Sequence, residues 1–175
     1  MAALGLSANL YAANLKFKDC SISRINRILD INEESILEAN LLLSKIENRI
    51  SEKRYKKKTQ RRLKRAAKVV KCALRKLPKT KYKCSKKSKP GKVASTLPVV
   101  GKTVALYDGF WNSSYSYKVS TLIHEATHKC ATSDGNYNYQ QGAKPSSSPL
   151  FGWQNIASTY DYWIMRGFCV PGDDC

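Results

Sequence analysis

The sequence predicts a mostly α domain with a small β element, and three patterns lead to that class. Between Ser21 and Ile50, the apolar residues Ile25, Ile28, Leu29, Ile36, Ala39, Leu43, Ile46 and Ile50 fall on one side of a 3.6-residue repeat, the stripe of a long amphipathic helix or of two with a kink. A second stripe, Leu63, Ala66, Ala67, Val70, Leu74 and Leu77, recurs at helical spacing among lysines and arginines. Strand-like patterning is short: Val99-Val100 and Thr103-Val104 lie between Leu97 and Tyr107, interrupted at Gly101 by a turn. A chain of 175 residues buries roughly 70% of its unfolded surface, enough for one core without metal or disulfides. We therefore expect a single domain over 1–175, with an N-terminal segment (1–19), a helical half (20–92) and a second half (93–175) carrying the chemistry.

The elements follow in order. The start, Met1 to Ser7, has no basic residue and only a short apolar stretch, so it makes a poor secretory signal. No apolar run approaches the roughly 20 residues of a membrane-spanning helix. Ser21 is placed to cap the first helix, because its hydroxyl can accept from a free N–H of the first turn. The second helix ends at Pro78, which cannot continue one. Lys79 to Lys92 mixes Ser, Pro and Gly with lysine and reads as an exposed loop. After the short strand comes a helix over about Ser116 to Lys129 with Leu122, Ile123 and Ala126 toward the core, then a Gly-, Ser-, Asn- and Pro-rich loop over 133–152. A last helix runs from about Asn155 to Met165.

Charge is concentrated. The chain carries a net +18, yet Lys53 to Lys92 alone holds twenty Lys and Arg and no Asp or Glu, so the remainder is slightly negative. Such a block is either a solvated face or a surface for a polyanion such as an anionic envelope polymer. Tyr55 and Tyr82 are the only aromatics within it and no nucleic-acid-binding motif is present, so we expect no specific nucleic-acid partner.

The chemistry sits in the third helix. The only two histidines occupy Ile123-His124-Glu125-Ala126-Thr127-His128, the H-E-x-x-H pattern. Residues i and i+4 share a helix face, so His124 and His128 can hold one Zn2+ ion while Glu125 reaches a water beside it as general base. The alternative is a pair of histidines on a half-buried helix that never meets a metal. With no third histidine, the remaining ligand must be a carboxylate or thiolate. Asp134, six residues on in a turn-forming stretch, is preferred to Cys130, which points to another face of the helix.

Here the chain resembles the aspzincin metallopeptidases, the family of deuterolysin and the peptidyl-Lys metalloendopeptidases. They pair H-E-x-x-H with G-T-x-x-D-x-x-Y-G. Asp134 and Tyr137 keep the D-x-x-Y spacing, while Ala131 stands in place of the first glycine, Thr132 is one residue closer to the aspartate and Asn138 replaces the last glycine. Thr103 to Trp111 and Asn155 to Trp163 are similar to the segments flanking the family's site, and the likeness spans about 20–168. The resemblance implies a zincin-like metallopeptidase domain, one zinc ion on His124, His128 and Asp134, Glu125 as base and Tyr137 assisting catalysis, with Tyr139 as a rival. It also implies substrate contacts from the last helix at Ser158, Tyr160 and Asp161. Only Asp161 retains the acidic character of the lysine-selecting pair, which implies a broad or weak preference for basic residues.

Six cysteines suit an oxidising compartment. Cys169 and Cys175 can close a short C-terminal loop; Cys20, Cys72, Cys84 and Cys130 allow three pairings or stay partly free. The resemblance favours Cys20 with Cys84. The expected function is a metalloendopeptidase, secreted or periplasmic, with a toxin or effector role, a protein or peptide substrate and an inhibitor or immunity protein as a further partner. The alternatives are a zinc hydrolase of peptidoglycan cross-links and a non-catalytic polyanion-binding protein.

Overall fold

A computed structural model of the chain describes residues 14–52, 54–96, 101–134 and 153–170. Strand β1 (Lys16–Lys18) is followed by helices α1 (Ile22–Ser51) and α2 (Lys57–Lys76) and a 3-10 turn (Leu77–Lys79). Strands β2 (Lys81–Cys84), β3 (Ala94–Ser95) and β4 (Thr103–Leu106) come next, and then helices α3 (Asp108–Asn112) and α4 (Tyr115–His128). A second 3-10 turn (Trp153–Asn155) leads into helix α5 (Ala157–Arg166). Val99-Val100, Tyr137, Tyr139, Cys175 and most of the expected loop over 133–152 lie outside the described residues.

Helix α1 is one unbroken helix, and Ser21 caps it by accepting from the N–H of Arg24 at 3.4 Å. Its buried stripe includes Ile28, Ile36, Ala39 and Ile46 as expected, whereas Ile25, Leu29, Leu43 and Ile50 are only half-buried. Two polar residues, Asn32 and Ser35, occupy the stripe as well and are satisfied there. Asn32 Oδ1 accepts from the Tyr82 hydroxyl at 2.8 Å, and Ser35 Oγ lies 2.7 Å from the carbonyl of Ile31 and 3.2 Å from that of Val119 in α4. An unpaired buried polar group costs about 1–3 kcal/mol, so these contacts fix how α1 registers against the sheet and against α4.

Helix α2 buries Leu63, Ala66, Ala67, Val69, Val70 and Ala73, and the turn holding Pro78 ends it. The sheet order is β1-β2-β4-β3, with β1, β2 and β4 parallel and β3 antiparallel to β4 at the edge. The expectation of an exposed loop from Lys79 to Lys92 is corrected in its first half, because β2 is an inner strand. Tyr82 and Cys84 are each 1% exposed and alternate with the outward Lys81 and Lys83, so four residues that look like solvated loop obey the two-residue period of a strand.

Helix α4 starts behind Ser114, which accepts from the N–H of Tyr117 at 3.3 Å, and turns Leu122, Ile123 and Ala126 into the core. One hydrophobic cluster joins α1, α2, β2, β4, α4 and α5. Disulfides tie Cys20 to Cys84 and Cys72 to Cys130, the first linking the start of α1 to the sheet and the second linking α2 to the residue pair that follows α4. Cys169 is also disulfide-bonded. No helix among the described residues is long and apolar enough to cross a membrane.

Candidate metal centre

One face of α4 carries Tyr117, Thr121, His124, Glu125 and His128, and all five line a cleft of about 420 Å³. The backbone after His128 turns sharply: Thr127 O accepts from the N–H of Cys130 at 2.8 Å, and Ala131 adopts a left-handed φ of 64°. Ser133 then pairs with Ile156, its N–H donating to Asn155 O at 2.9 Å and its carbonyl accepting from Ala157 at 2.8 Å. This short bridge anchors the chain ahead of α5 and carries Asp134 back over the helix.

Three ligand atoms meet there. Asp134 Oδ1 lies 3.0 Å from His124 Nε2 and 2.8 Å from His128 Nε2, and the two ring nitrogens are 3.1 Å apart. His128 Nδ1 is 3.2 Å from the carbonyl of Thr132, which can only accept, so the ring proton sits on Nδ1 and Nε2 turns a lone pair to the cleft. A carboxylate oxygen and two ring nitrogens this close repel one another unless a cation lies among them. A tetrahedral zinc ion with ligands at about 2.0–2.1 Å sets donor atoms a little over 3 Å apart, so the spacing and the His-His-Asp donor set both fit that ion. In its absence a proton serves. Burial alone lowers the affinity of His124 for a proton, but its hydrogen bond to Asp134 and the charge of Asp161 outweigh that and raise its pKa to about 10. The hydrogen bond from His124, with the second imidazole beside it, holds the Asp134 carboxyl well below the usual carboxylate range. Cys130, the rival ligand, is committed to its disulfide with Cys72.

Glu125 is 5% exposed and its Oε2 is buried without a hydrogen-bond partner among the described residues. Burial pushes its carboxyl pKa upward, with His124 and His128 pulling the other way. A buried carboxyl group of this kind takes up a proton more readily than a solvated carboxylate, which suits a group that must accept and return one.

The expected substrate residues divide. Asp161 lines the cleft at 4% exposure; its Oδ1 accepts from the N–H of Tyr162, and Oδ2 is 3.5 Å from His124 Nδ1, a charge contact without hydrogen-bond alignment. Ser158 also lines the cleft, its hydroxyl 3.4 Å from the carbonyl of Asp134. Tyr160 does not reach it and is corrected to a core residue: it is fully buried and its hydroxyl donates to Gln154 O at 2.6 Å. Tyr137 lies outside the described residues. Sequence reasoning missed Tyr117 and Thr121, although both stand on the H-E-x-x-H face at seven and three residues before His124. It also missed the opposite wall, residues 91–96 with edge strand β3.

No family model matches this sequence, and no curated protein matches it either. Among solved structures it is similar to a zinc peptidase from Grifola frondosa, at 17% identity and a TM-score of 0.65, over 83% of this chain and 96% of that one. The long helices, the small mixed sheet and the helix bearing both histidines therefore belong to a chain that has the fold of a zinc peptidase.

Proposed function

We propose that the chain is a zinc-dependent metalloendopeptidase. The observation that carries this reading is the convergence of His124, His128 and Asp134 on one point, with Glu125, whose Oε2 has no hydrogen-bond partner among the described residues, lining the same cleft. Zinc held there supplies a Lewis acid for the scissile carbonyl and brings the pKa of water down to about 7. Glu125 accepts a proton from the attacking water and returns it to the leaving amine, a role its buried, partly compensated carboxyl suits. Thr132 and Asp161 hold the outer sides of the two imidazoles, which keeps both Nε2 atoms aimed inward. Edge strand β3 forms one wall, and an extended substrate can pair with its free side so that its amide crosses the site.

Tyr137, by its spacing from Asp134, is the proposed donor to the developing oxyanion, a contact worth about 3 kcal/mol in comparable sites. Asp161 and Ser158 form the wall that reads the substrate. Because both Asp161 oxygens are already engaged, the preference for basic residues is weak. The two described disulfides support folding in an oxidising compartment and hence export.

The test is mass-spectrometric profiling of a diverse peptide mixture with the zinc-loaded protein and with Glu125→Gln. Cleavage by the wild type that falls at least about 10²-fold in the variant, with zinc still bound, is the expected result. Equal cleavage by both removes Glu125 from the chemistry. No cleavage by either, with release of fragments from purified peptidoglycan, transfers the same site to a cell-wall substrate. Large apolar residues beside the cuts would overturn the basic preference.

A further inference from the structure

Helix α2 carries more positive charge than its packing needs, and the charges are ordered. Lys57, Arg61, Lys64, Lys68, Lys71 and Arg75 follow one another at steps of four, three, four, three and four residues, so they form a single stripe within a narrow arc of the helix surface. All six are exposed, and the apolar face with Leu63, Ala66, Val70 and Ala73 lies against the core on the other side. The stripe is about 27 Å long, with a cation roughly every 5 Å. Only Lys71 is matched, by Glu47 at 2.7 Å; the other five make no ion pair among the described residues. Like charges at this spacing destabilise a helix, so the row is an expense to the fold that a partner of opposite charge would turn into a gain.

The composition of the face narrows the partner. The stripe itself holds no aromatic side chain on which a nucleic-acid base could stack: Tyr82 is buried in the sheet, and Tyr55, ahead of the helix, packs half-buried against the core with the Arg54 guanidinium 4.9 Å from its ring centre. It also has no apolar side chain to enter a bilayer; among the described residues the large exposed apolar side chains, Ile22, Leu37, Leu41 and Tyr115, lie on α1 and α4. A stiff duplex is a cylinder and meets a straight row at few phosphates, whereas a flexible chain can follow it end to end. We propose that this face of α2 docks a flexible, base-free phosphodiester polymer of the poly(glycerol phosphate) kind, holding the enzyme on an anionic surface while the cleft remains open. The stripe shares no residue with the cleft, so docking and hydrolysis are separable.

The test is binding of the full zinc-loaded chain to deacylated poly(glycerol phosphate), measured across a salt series. Oligo(dT) of the same phosphate count, duplex DNA and phosphatidylglycerol vesicles serve as competitors. Five to six phosphate contacts predict that log K falls with log salt at a slope of about −4. Replacing Lys57, Arg61, Lys64, Lys68 and Arg75 together by Gln is expected to reduce affinity more than about tenfold and flatten that slope, with helical circular dichroism and short-peptide cleavage unchanged. Replacing Lys57, Lys64 and Lys68 by Arg is expected to keep both affinity and slope, which guards against a fold defect. Removing three cations off the stripe, Lys79, Lys86 and Lys87, is expected to change affinity little. The proposal is overturned if the stripe variant binds as the wild type does, or if the off-stripe variant loses as much. Tighter binding to oligo(dT) or duplex than to the polymer, or binding only when a bilayer is present, overturns it as well.

Discussion

At the scale of single residues the site is an arrangement of lone pairs that needs a cation, and this makes its pH behaviour calculable in sign. With His124 raised to about 10, the metal-free protein holds a proton between His124 and Asp134 throughout the neutral range. Zinc must displace it, so zinc uptake near pH 7 is expected to release about one proton, and the apparent affinity to rise up to about tenfold per pH unit until the histidine's own pKa is passed. Calorimetric titration in buffers of different ionisation enthalpy measures the released proton, and a value near zero would show that the histidines are already neutral. The same shift affects stability. A histidine whose folded pKa is raised above about 6.5 stabilises the metal-free fold fully below that pH, and the contribution is lost as pH rises toward 10. Metal-free protein should therefore lose unfolding free energy across that window while zinc-loaded protein does not. Asp161 acts on the same ring through its 3.5 Å contact with Nδ1, so Asp161→Asn is expected to weaken zinc binding by about 10- to 100-fold. Competition with a chromophoric chelator reads this directly, and an unchanged affinity would assign Asp161 to the substrate alone. The sequence made His124, Glu125 and His128 legible because one helix sets their geometry. It could not reveal which way Asp161 faces, because that depends on how α5 packs against α4.

At the scale of elements, what was legible followed periodicity, and what was missed lay where composition and period disagree. The stripes of α1, α2 and α4 supply the core along the faces their spacing predicts, although Ile25, Leu29, Leu43 and Ile50 of α1 are only half-buried, and the cap at Ser21 closes the start of α1. Strand β2 was hidden because lysine occupies half of a four-residue segment, although its alternation with Tyr82 and Cys84 is that of a strand. The turn after α4 holds a strained residue that periodicity does not locate. Ala131 holds φ at 64°, a conformation that disfavours a Cβ by about 1–2 kcal/mol. Ala131→Gly relieves this at the cost of a more flexible unfolded chain, so the expected net stabilisation is up to about 1 kcal/mol, with the site intact. Denaturant unfolding of the metal-free proteins measures it. A glycine variant less stable than the wild type would mean that the alanine methyl makes packing contacts worth more than the strain.

At the scale of the whole molecule, fold and charge are governed by different parts of the chain. The core joins both halves through α1, which touches the sheet at Tyr82 and α4 at Val119, so apolar spacing was enough to reveal the mostly α class. The order of the sheet strands was not legible, since β3 has only two residues and pairs through backbone atoms alone. The cations of the α2 stripe play no part in that core. Like-charge repulsion falls on α2, where five adjacent like-charged steps along the stripe, each unfavourable by about 0.2–0.5 kcal/mol, sum to roughly 1–2.5 kcal/mol against the fold at low salt. Mobile ions shorten the range of that repulsion from about 30 Å at 0.01 M salt to about 3 Å at 1 M. The melting temperature of the zinc-loaded protein is therefore expected to rise by several degrees over this range, since 1 kcal/mol corresponds to about 2–4 °C for a chain of this size. The variant with five stripe cations replaced by Gln should start higher at low salt and show a smaller rise, because the repulsion that salt screens has been removed. A wild-type melting temperature that stays flat or falls with salt would mean that the stripe's charges are too well solvated to burden the fold. The row along α2 would then cost the protein nothing when no partner is bound.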